Sequence, residues 1–287
     1  MTLPANEEAA VDQKKSTNFL RRLDDLAVPA GMLALGALGQ AGFAIKGGKT
    51  IVYVDPYLSD AITATGGPPR AIDIPVNPAA IANAAAVLCT HEHADHTDPE
   101  TVLSITRASA SAPVYASPQG RDILTRAGLA SERIVMPALG EPQTIGDMRI
   151  TAVPAAHYAY EVDASGHSRW MGFLVEAGGV TLYHAGDTIL VPEVMAALER
   201  QHLDLALLPI NGRDYFREQE DIVGNLNVRE VATICSRLHP NVLIPMHNDL
   251  FATNRVSPAD LVAELDRLAP RQRFHFLQPG EIYVYCG

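Results

Sequence analysis

The stretch Thr90-His91-Glu92-His93-Ala94-Asp95-His96 places four nitrogen or carboxylate donors of metal-binding type within six residues, directly after the apolar run Val87-Leu88-Cys89. In extended chain, side chains two apart point the same way, so His91 and His93 can share one cation. Asp95 and His96 can turn toward a second cation if the loop folds back before a helix beginning near Pro99. Histidines clustered away from water without a cation would depress one another's pKa and leave ring nitrogens unsatisfied, which favours a metal centre over a plain polar loop. Three later residues each follow a strand-like run: His157 after 150–153, Asp187 after 180–183 and His247 after 242–245. Each could project from one sheet edge, and Gly186 permits the sharp bend that lets Asp187 reach inward.

The elements that must position these side chains are legible as short apolar runs between turn residues. Strands are predicted at 86–89, 149–153, 171–176, 180–184, 203–208, 242–245 and 281–285, with a hairpin of 41–46 and 50–54 about a Gly47-Gly48 turn that ends at Asp55-Pro56. Helices near 99–109, 228–238 and 258–268 each begin with a short polar cap and an acidic first turn, and two more are expected at 119–129 and 192–201. Strands run together early and alternate with helices later. That order predicts an α/β fold in which two sheets meet face to face under outer helices, a four-layer αββα sandwich. Residues 1–25 read as a polar lead-in, partly helical around 19–26. Residues 26–287 read as one domain, because no repeat, low-complexity tract or composition break divides them and Gly66-Gly67-Pro68-Pro69 is a loop within the fold.

Composition narrows the partners. The 287 residues carry 22 Lys plus Arg against 33 Asp plus Glu, a formal charge of −11, and 47% are hydrophobic, enough to fill a substantial core. Such a surplus of negative charge repels phosphate backbones and anionic lipid, so neither nucleic acid nor a membrane surface is expected as a partner. An acidic surface is also compatible with soluble homo-oligomeric assembly. Cys89, Cys235 and Cys286 lie far apart and form no CxxC pair, which excludes a disulfide framework and a thiolate zinc site and points to the cytoplasm. The mixed-charge start around Asn6, Glu7, Glu8, Lys14 and Lys15 lacks a signal-peptide pattern. Residues 26–45 carry no charge over a length near that of a membrane span. Pro29, Gly31, Gly36, Gly39, Gln40 and Gly42 break that stretch into pieces better suited to paired strands.

The HxHxDH motif at 91–96, a distant His157, the Gly186-Asp187-Thr188 triplet and a final His247 together resemble the metallo-β-lactamase superfamily over most of the chain. Within it, Leu38-Gly39-Gln40-Ala41-Gly42-Phe43, Asp55-Pro56-Tyr57-Leu58-Ser59, Cys89-Thr90-His91, Tyr183-His184-Ala185-Gly186-Asp187-Thr188 and Ile244-Pro245-Met246-His247 resemble the L-ascorbate-6-phosphate lactonase-like branch. The resemblance implies that His91, His93 and His157 bind one cation, that Asp95, His96 and His247 bind a second, and that Asp187 bridges them. Such imidazole and carboxylate sets suit zinc, iron or manganese. The lactonase branch brings in manganese and single-metal occupancy, so the cofactor is one or two divalent ions, Zn2+ or Mn2+. No ligand position is a cysteine, unlike the thiolate-bearing antibiotic-degrading members.

Coordination lowers the pKa of water from ~15.7 to roughly 7, providing a hydroxide nucleophile at neutral pH, while the cation polarises the oxygen under attack. A pair of divalent cations, offset by Asp95, Asp187 and a hydroxide, keeps a net positive charge, so a small anionic substrate fits although the whole chain repels anions. The expected reaction is hydrolysis of a lactone, with a phosphorylated sugar-acid lactone as one form. The alternative is a phosphodiesterase acting on cyclic nucleotides or other phosphoesters. Asp95 could accept the water's proton as general base. His184 could serve as general acid or substrate contact near Asp187, or simply fill the inward face of its strand. Asp55 could hold the free N–H of a ligating histidine; Asp98 could do the same or cap its helix. Arg70, Arg169, Asn211, Arg213 and Asn248 sit in loops that could face the metals and touch substrate, an arginine suiting phosphate by bidentate contact. Tyr158, Tyr160 and Trp170 could form a pocket wall, with core packing the alternative for Trp170.

Overall fold

The computed structural model describes residues 16–219 and 224–287. The charge-free stretch predicted as paired strands forms β1 (Met32–Gly39) and β2 (Gly42–Gly47), followed by β3 (Thr50–Val54), all antiparallel. The turn lies one residue later than predicted. Gly47 still pairs with Thr50, and Gly48 carries the left-handed φ of 58° that the first position of a two-residue hairpin loop favours. Then come α2 (Ala61–Ala64), β4 (Ala86–Leu88), α3 (Pro99–Ala108), β5 (Val114–Tyr115), α4 (Pro118–Arg126) and β6 (Ile134–Val135). The second half holds β7 (Pro142–Ile145), β8 (Met148–Pro154), β9 (Met171–Ala177), β10 (Val180–His184), α5 (Pro192–Leu198), β11 (Leu205–Pro209), α6 (Tyr215–Gln219), α7 (Val228–Leu238), β12 (Val242–Met246), α8 (Pro258–Leu268) and β13 (Ile282–Cys286).

These strands make two mixed sheets, ordered β13-β1-β2-β3-β4-β5-β6 and β12-β11-β10-β9-β8-β7. In each sheet an antiparallel half adjoins a parallel half: β3 to β6 are parallel neighbours in the first, and β10 to β12 in the second. Inner-face residues of both sheets, among them Leu33, Ile45 and Val54 with Phe173, Val175 and Leu182, share one core. That core continues through the second sheet to Val231 and Ile234 of α7 and Leu261 of α8, while a separate core beneath α3 and α4 covers the outer face of the first sheet. The architecture is therefore the αββα sandwich. Polar caps start the helices: Asp98, Ser117 and Ser257 accept backbone N–H bonds at α3, α4 and α8, and Asn227 with Glu230 forms a capping box at α7.

The lead-in needs correction where it is described. Residues 16–25 form a helix, α1, whose Phe19, Leu20 and Leu23 are buried in the outer core, so this part packs as an element of the fold. The buried Lys46 ammonium donates to the Leu23 and Asp24 carbonyls at the end of α1, supplying partners that a helix terminus lacks. Residues 1–15, including the charges at Asn6 to Lys15, lie outside the described residues. Among those described, no helix is long and apolar enough to cross a membrane.

Candidate metal centre

Parallel pairing places strand ends side by side, and the chemistry collects there. Asp55 ends β3 and Thr90 follows β4; because those strands are parallel neighbours, Asp55 N–H donates to Leu88 O and the Asp55 carboxylate reaches the Thr90 loop. Asp187 follows β10 and His247 follows β12, which flank β11 in the other sheet. His157 follows β8, and the 93–97 loop turns back through bonds from His96 N–H and Thr97 N–H to His93 O before α3 starts. Gly186 is essential here, since a Cβ at its φ of 60° would stand 2.8 Å from Thr90 Cβ and 2.9 Å from Met171 O.

The result is two adjoining sets of donors. Donor atoms of His91, His93, His157 and Asp187 lie within 4.8 Å of one another, as do those of Asp95, His96 and His247. Asp187 faces both: its Oδ2 is 3.6 Å from His157 Nε2, and its Oδ1 is 3.3 Å from His96 Nε2 and 3.2 Å from His247 Nε2. His96 and His247 nitrogens approach each other to 3.3 Å. Every one of these side chains except Asp95 and His93 is buried.

Electrostatics sharpen the picture. Burial pushes His91 well below its ordinary pKa, helped by the charges of His96 and His93. Burial likewise carries His157 down to about 4 against the pull of Asp187. Burial works against charge on His96 and His247 too, but Asp187 and Asp95 overcome it, holding His96 well above its usual value and His247 at about 9. The two carboxyls are held low: desolvation opposes their ionisation, and the neighbouring histidine charges win. Asp187 and Asp95 thus favour the charged forms of His96 and His247, with Asp55 adding to the effect on His96. The donor set fits divalent cations, because His91 Nε2 is buried without a hydrogen-bond partner and converging nitrogens and carboxylates are the chemistry such ions take.

One buried carboxylate orients donors in both sets. Asp55 accepts from Thr90 N–H at 2.8 Å, Thr90 Oγ1 at 2.7 Å and His96 Nδ1 at 2.7 Å. Having donated its only proton to Asp55, the Thr90 hydroxyl must accept from His91 Nδ1, 3.1 Å away. Both rings are therefore protonated at Nδ1, leaving Nε2 to face the centre. Thr90 and Gln40 are the residues that sequence reasoning missed. Gln40 Nε2 lies 2.7 Å from Asp95 Oδ2 and 3.1 Å from His247 Nε2. Among the described residues, four other than glycine have positive φ, and three of them, Gln40, Asp55 and His247, are here; the fourth, His239, caps α7. Left-handed backbone costs a side-chain-bearing residue energy, so its concentration at one place marks a site the fold over-determines.

Several predicted contacts are not made. His184 is wholly buried, with Nε2 2.8 Å from Ala41 O and Nδ1 accepting from Gly186 N–H at 3.2 Å, so both ring nitrogens are committed to backbone. Asp98 caps α3 through Glu100 N–H and Thr101 N–H and touches Thr101 Oγ1, with no bond to a histidine. Arg213 is paired with Glu230 through both terminal nitrogens. Arg70 donates to the Tyr57 and Ser59 carbonyls and lies over the Tyr57 ring, with Nη2 buried and unpartnered. Asn211 is buried beside β11, accepting from Asn225, and Asn248 lines a small cavity of about 130 Å³ behind Gln40. Arg169 is paired with Glu92 and lies over buried Trp170, whose edge approaches His157. Tyr158, 55% exposed, stands beside the His157 ring at 5.6 Å, and Tyr160 is also exposed.

Residues 50–248 match the family model described as the beta-lactamase superfamily domain. The chain is similar to a UPF0173 metal-dependent hydrolase of Thermococcus kodakarensis, 32% identical over 254 residues, which span 87% of this chain and 98% of the relative. A protein of the same name from Archaeoglobus fulgidus is 30% identical over 252 residues, 86% of this chain and 97% of the relative. Among solved structures, Igni18, a metallo hydrolase from Ignicoccus hospitalis, superposes with a TM-score of 0.66 at 21% identity, covering 88% of this chain and 98% of that one, a likeness of fold.

Proposed function

This chain belongs to the metallo-β-lactamase superfamily of metal-dependent hydrolases, and from that premise we propose that it hydrolyses carboxylic esters, with lactones as the substrate class. His91, His93 and His157 would hold one cation and Asp95, His96 and His247 another, with Asp187 shared between them. When bound, divalent cations supply Lewis acidity, polarising a substrate oxygen and making water acidic enough to attack near neutral pH.

The chain's own residues do the rest. Asp55 and Thr90 set the tautomers of His96 and His91, so that lone pairs face the centre. Asp95, 16% exposed at its side chain and held ionised, is the general base that takes the proton from water. We assign His184 a positioning role, bridging the Ala41 and Gly186 backbones, in place of the acid role expected from sequence. Exposed Tyr158 would form the wall against which substrate lies, with the Arg169-covered Trp170 packed behind it.

The observation that carries the ester reading is the state of the arginines. A free guanidinium suits a phosphoryl group by bidentate contact, yet Arg213 is committed to Glu230 and Arg169 to Glu92. An ester carbonyl needs no such partner. Attraction of a small anion then rests on the cations alone. The second reading, a phosphodiesterase acting on cyclic nucleotides or other phosphoesters, is favoured by the free, buried Nη2 of Arg70. A panel of sugar lactones, simple aryl esters, cyclic nucleotides and bis-aryl phosphates separates the two. Turnover of lactones with little of phosphoesters is expected; turnover of phosphoesters alone would overturn the ester reading.

A further inference from the structure

Gln40 occupies the two-residue connection between β1 and β2 and is bound to Asp95 and His247 of the second set of donors and to Asp249. Its backbone N–H donates to Asp249 Oδ1 at 2.8 Å, and its carbonyl accepts from His247 N–H at 2.9 Å. The side-chain Nε2 donates to Asp95 Oδ2 at 2.7 Å and lies 3.1 Å from His247 Nε2, while Oε1 is buried without a partner. Gln40 is 3% exposed and holds a φ of 56°, a conformation costly for glutamine. An ordinary hairpin would place Gly or Asn there. Retaining a long amide at that position makes sense if the amide is used.

We propose that Gln40 is a positioning residue for the Asp95, His96 and His247 cation, acting through Asp95 and His247 and setting the affinity of that site relative to its neighbour. The inference rests on the reading that the two donor sets hold one cation each. A single primary amide can direct one N–H at the Asp95 carboxylate, fixing which oxygen turns inward, and its contact with His247 Nε2 is the one a cation would take over. The hydrogen bonds of Gln40 run to Asp95, His247 and Asp249 and not to His91, His93 or His157, so its loss should fall on the second set first.

The test is cation titration of the full chain with Mn2+ and with Zn2+, by calorimetry with metal content measured in parallel, for wild type, Gln40→Asn and Gln40→Glu. Asparagine tolerates the left-handed backbone but is one methylene too short to reach Asp95, so it removes the amide contact without adding strain. The second cation should bind about tenfold to a hundredfold more weakly in Gln40→Asn, the size typical for loss of a partner to a metal ligand, with the first unchanged. Gln40→Glu keeps the side-chain length but loses the N–H that faces Asp95 Oδ2, so it should fail to restore the second site to wild-type affinity. Equal weakening of both sites, or no change at the second, would overturn the role of Gln40 while wild type still takes two equivalents. Uptake of only one equivalent by wild type would overturn the two-cation reading itself.

Discussion

Replacing Asp55 by asparagine should weaken cation binding at both donor sets and lower the stability of the metal-free fold. The carboxylate accepts three hydrogen bonds, and an amide oxygen can keep only the one from Thr90 N–H. The amide's own N–H groups then face the Thr90 hydroxyl and His96 Nδ1, which can no longer both donate. His96 shifts its proton to Nε2, toward the centre, and Thr90 no longer holds His91 in its tautomer. Two bonds to a charged acceptor contribute about 1.5–3 kcal/mol each. Asp55 is also the buried ion-pair partner of His96, and removing one partner of such a pair costs about 3–5 kcal/mol. Asparagine also tolerates the φ of 44° at this position. Each ligand that loses its outer partner should lower affinity about 10–100-fold. Calorimetric titration beside a thermal melt of the metal-free variant is the assay. Unchanged affinity at both sites would refute the orientation argument.

Asp187→Ala should lower cation affinity at both sets and abolish hydrolysis, since its two oxygens face different donors; wild-type turnover would contradict the shared role. Cation binding should tighten as pH rises toward about 9, because the proton that Asp187 and Asp95 hold on His247 must leave before its Nε2 can ligate. Titrations from pH 6 to 9 should show weakening of up to about tenfold per pH unit below that value for each proton displaced, and a flat profile would remove the coupling. The same raised pKa means that His247's contribution to metal-free stability is complete below its unfolded value near 6.5 and is lost as pH climbs through about 9, a trend that thermal melts of the metal-free chain can follow. His184→Ala should cost about 2–4 kcal/mol by orphaning Ala41 O and Gly186 N–H, yet leave the shape of the pH–rate profile intact. Loss of one limb of that profile at unchanged Tm would instead restore its acid role.

The layered architecture was legible because alternating strand and helix patterns carried it, and the donors because each polar residue followed an apolar run at a strand end. Parallel pairing within both sheets is what converts those scattered positions into one neighbourhood. The two-residue strands β5 and β6 and the polar β7 were not legible, since runs so short show no periodicity. Gln40 and Thr90 escaped notice for a different reason. Gln40's partners lie 55, 207 and 209 residues away, and its part depends on a left-handed turn that glutamine gives no reason to expect. Thr90 acts only by passing its proton to Asp55 across neighbouring strands. The availability of the arginines was not legible because it depends on tertiary partners: Glu230 pairs with Arg213 and Glu92 with Arg169.

Anomalous diffraction from crystals of the full chain grown with Mn2+ or Zn2+ bears most directly on the metal centre. The account predicts two peaks, one within bonding distance of His91, His93 and His157, the other of Asp95, His96 and His247, with Asp187 reaching both. Full occupancy of the cation elsewhere, with these side chains keeping their metal-free hydrogen bonds, would contradict it.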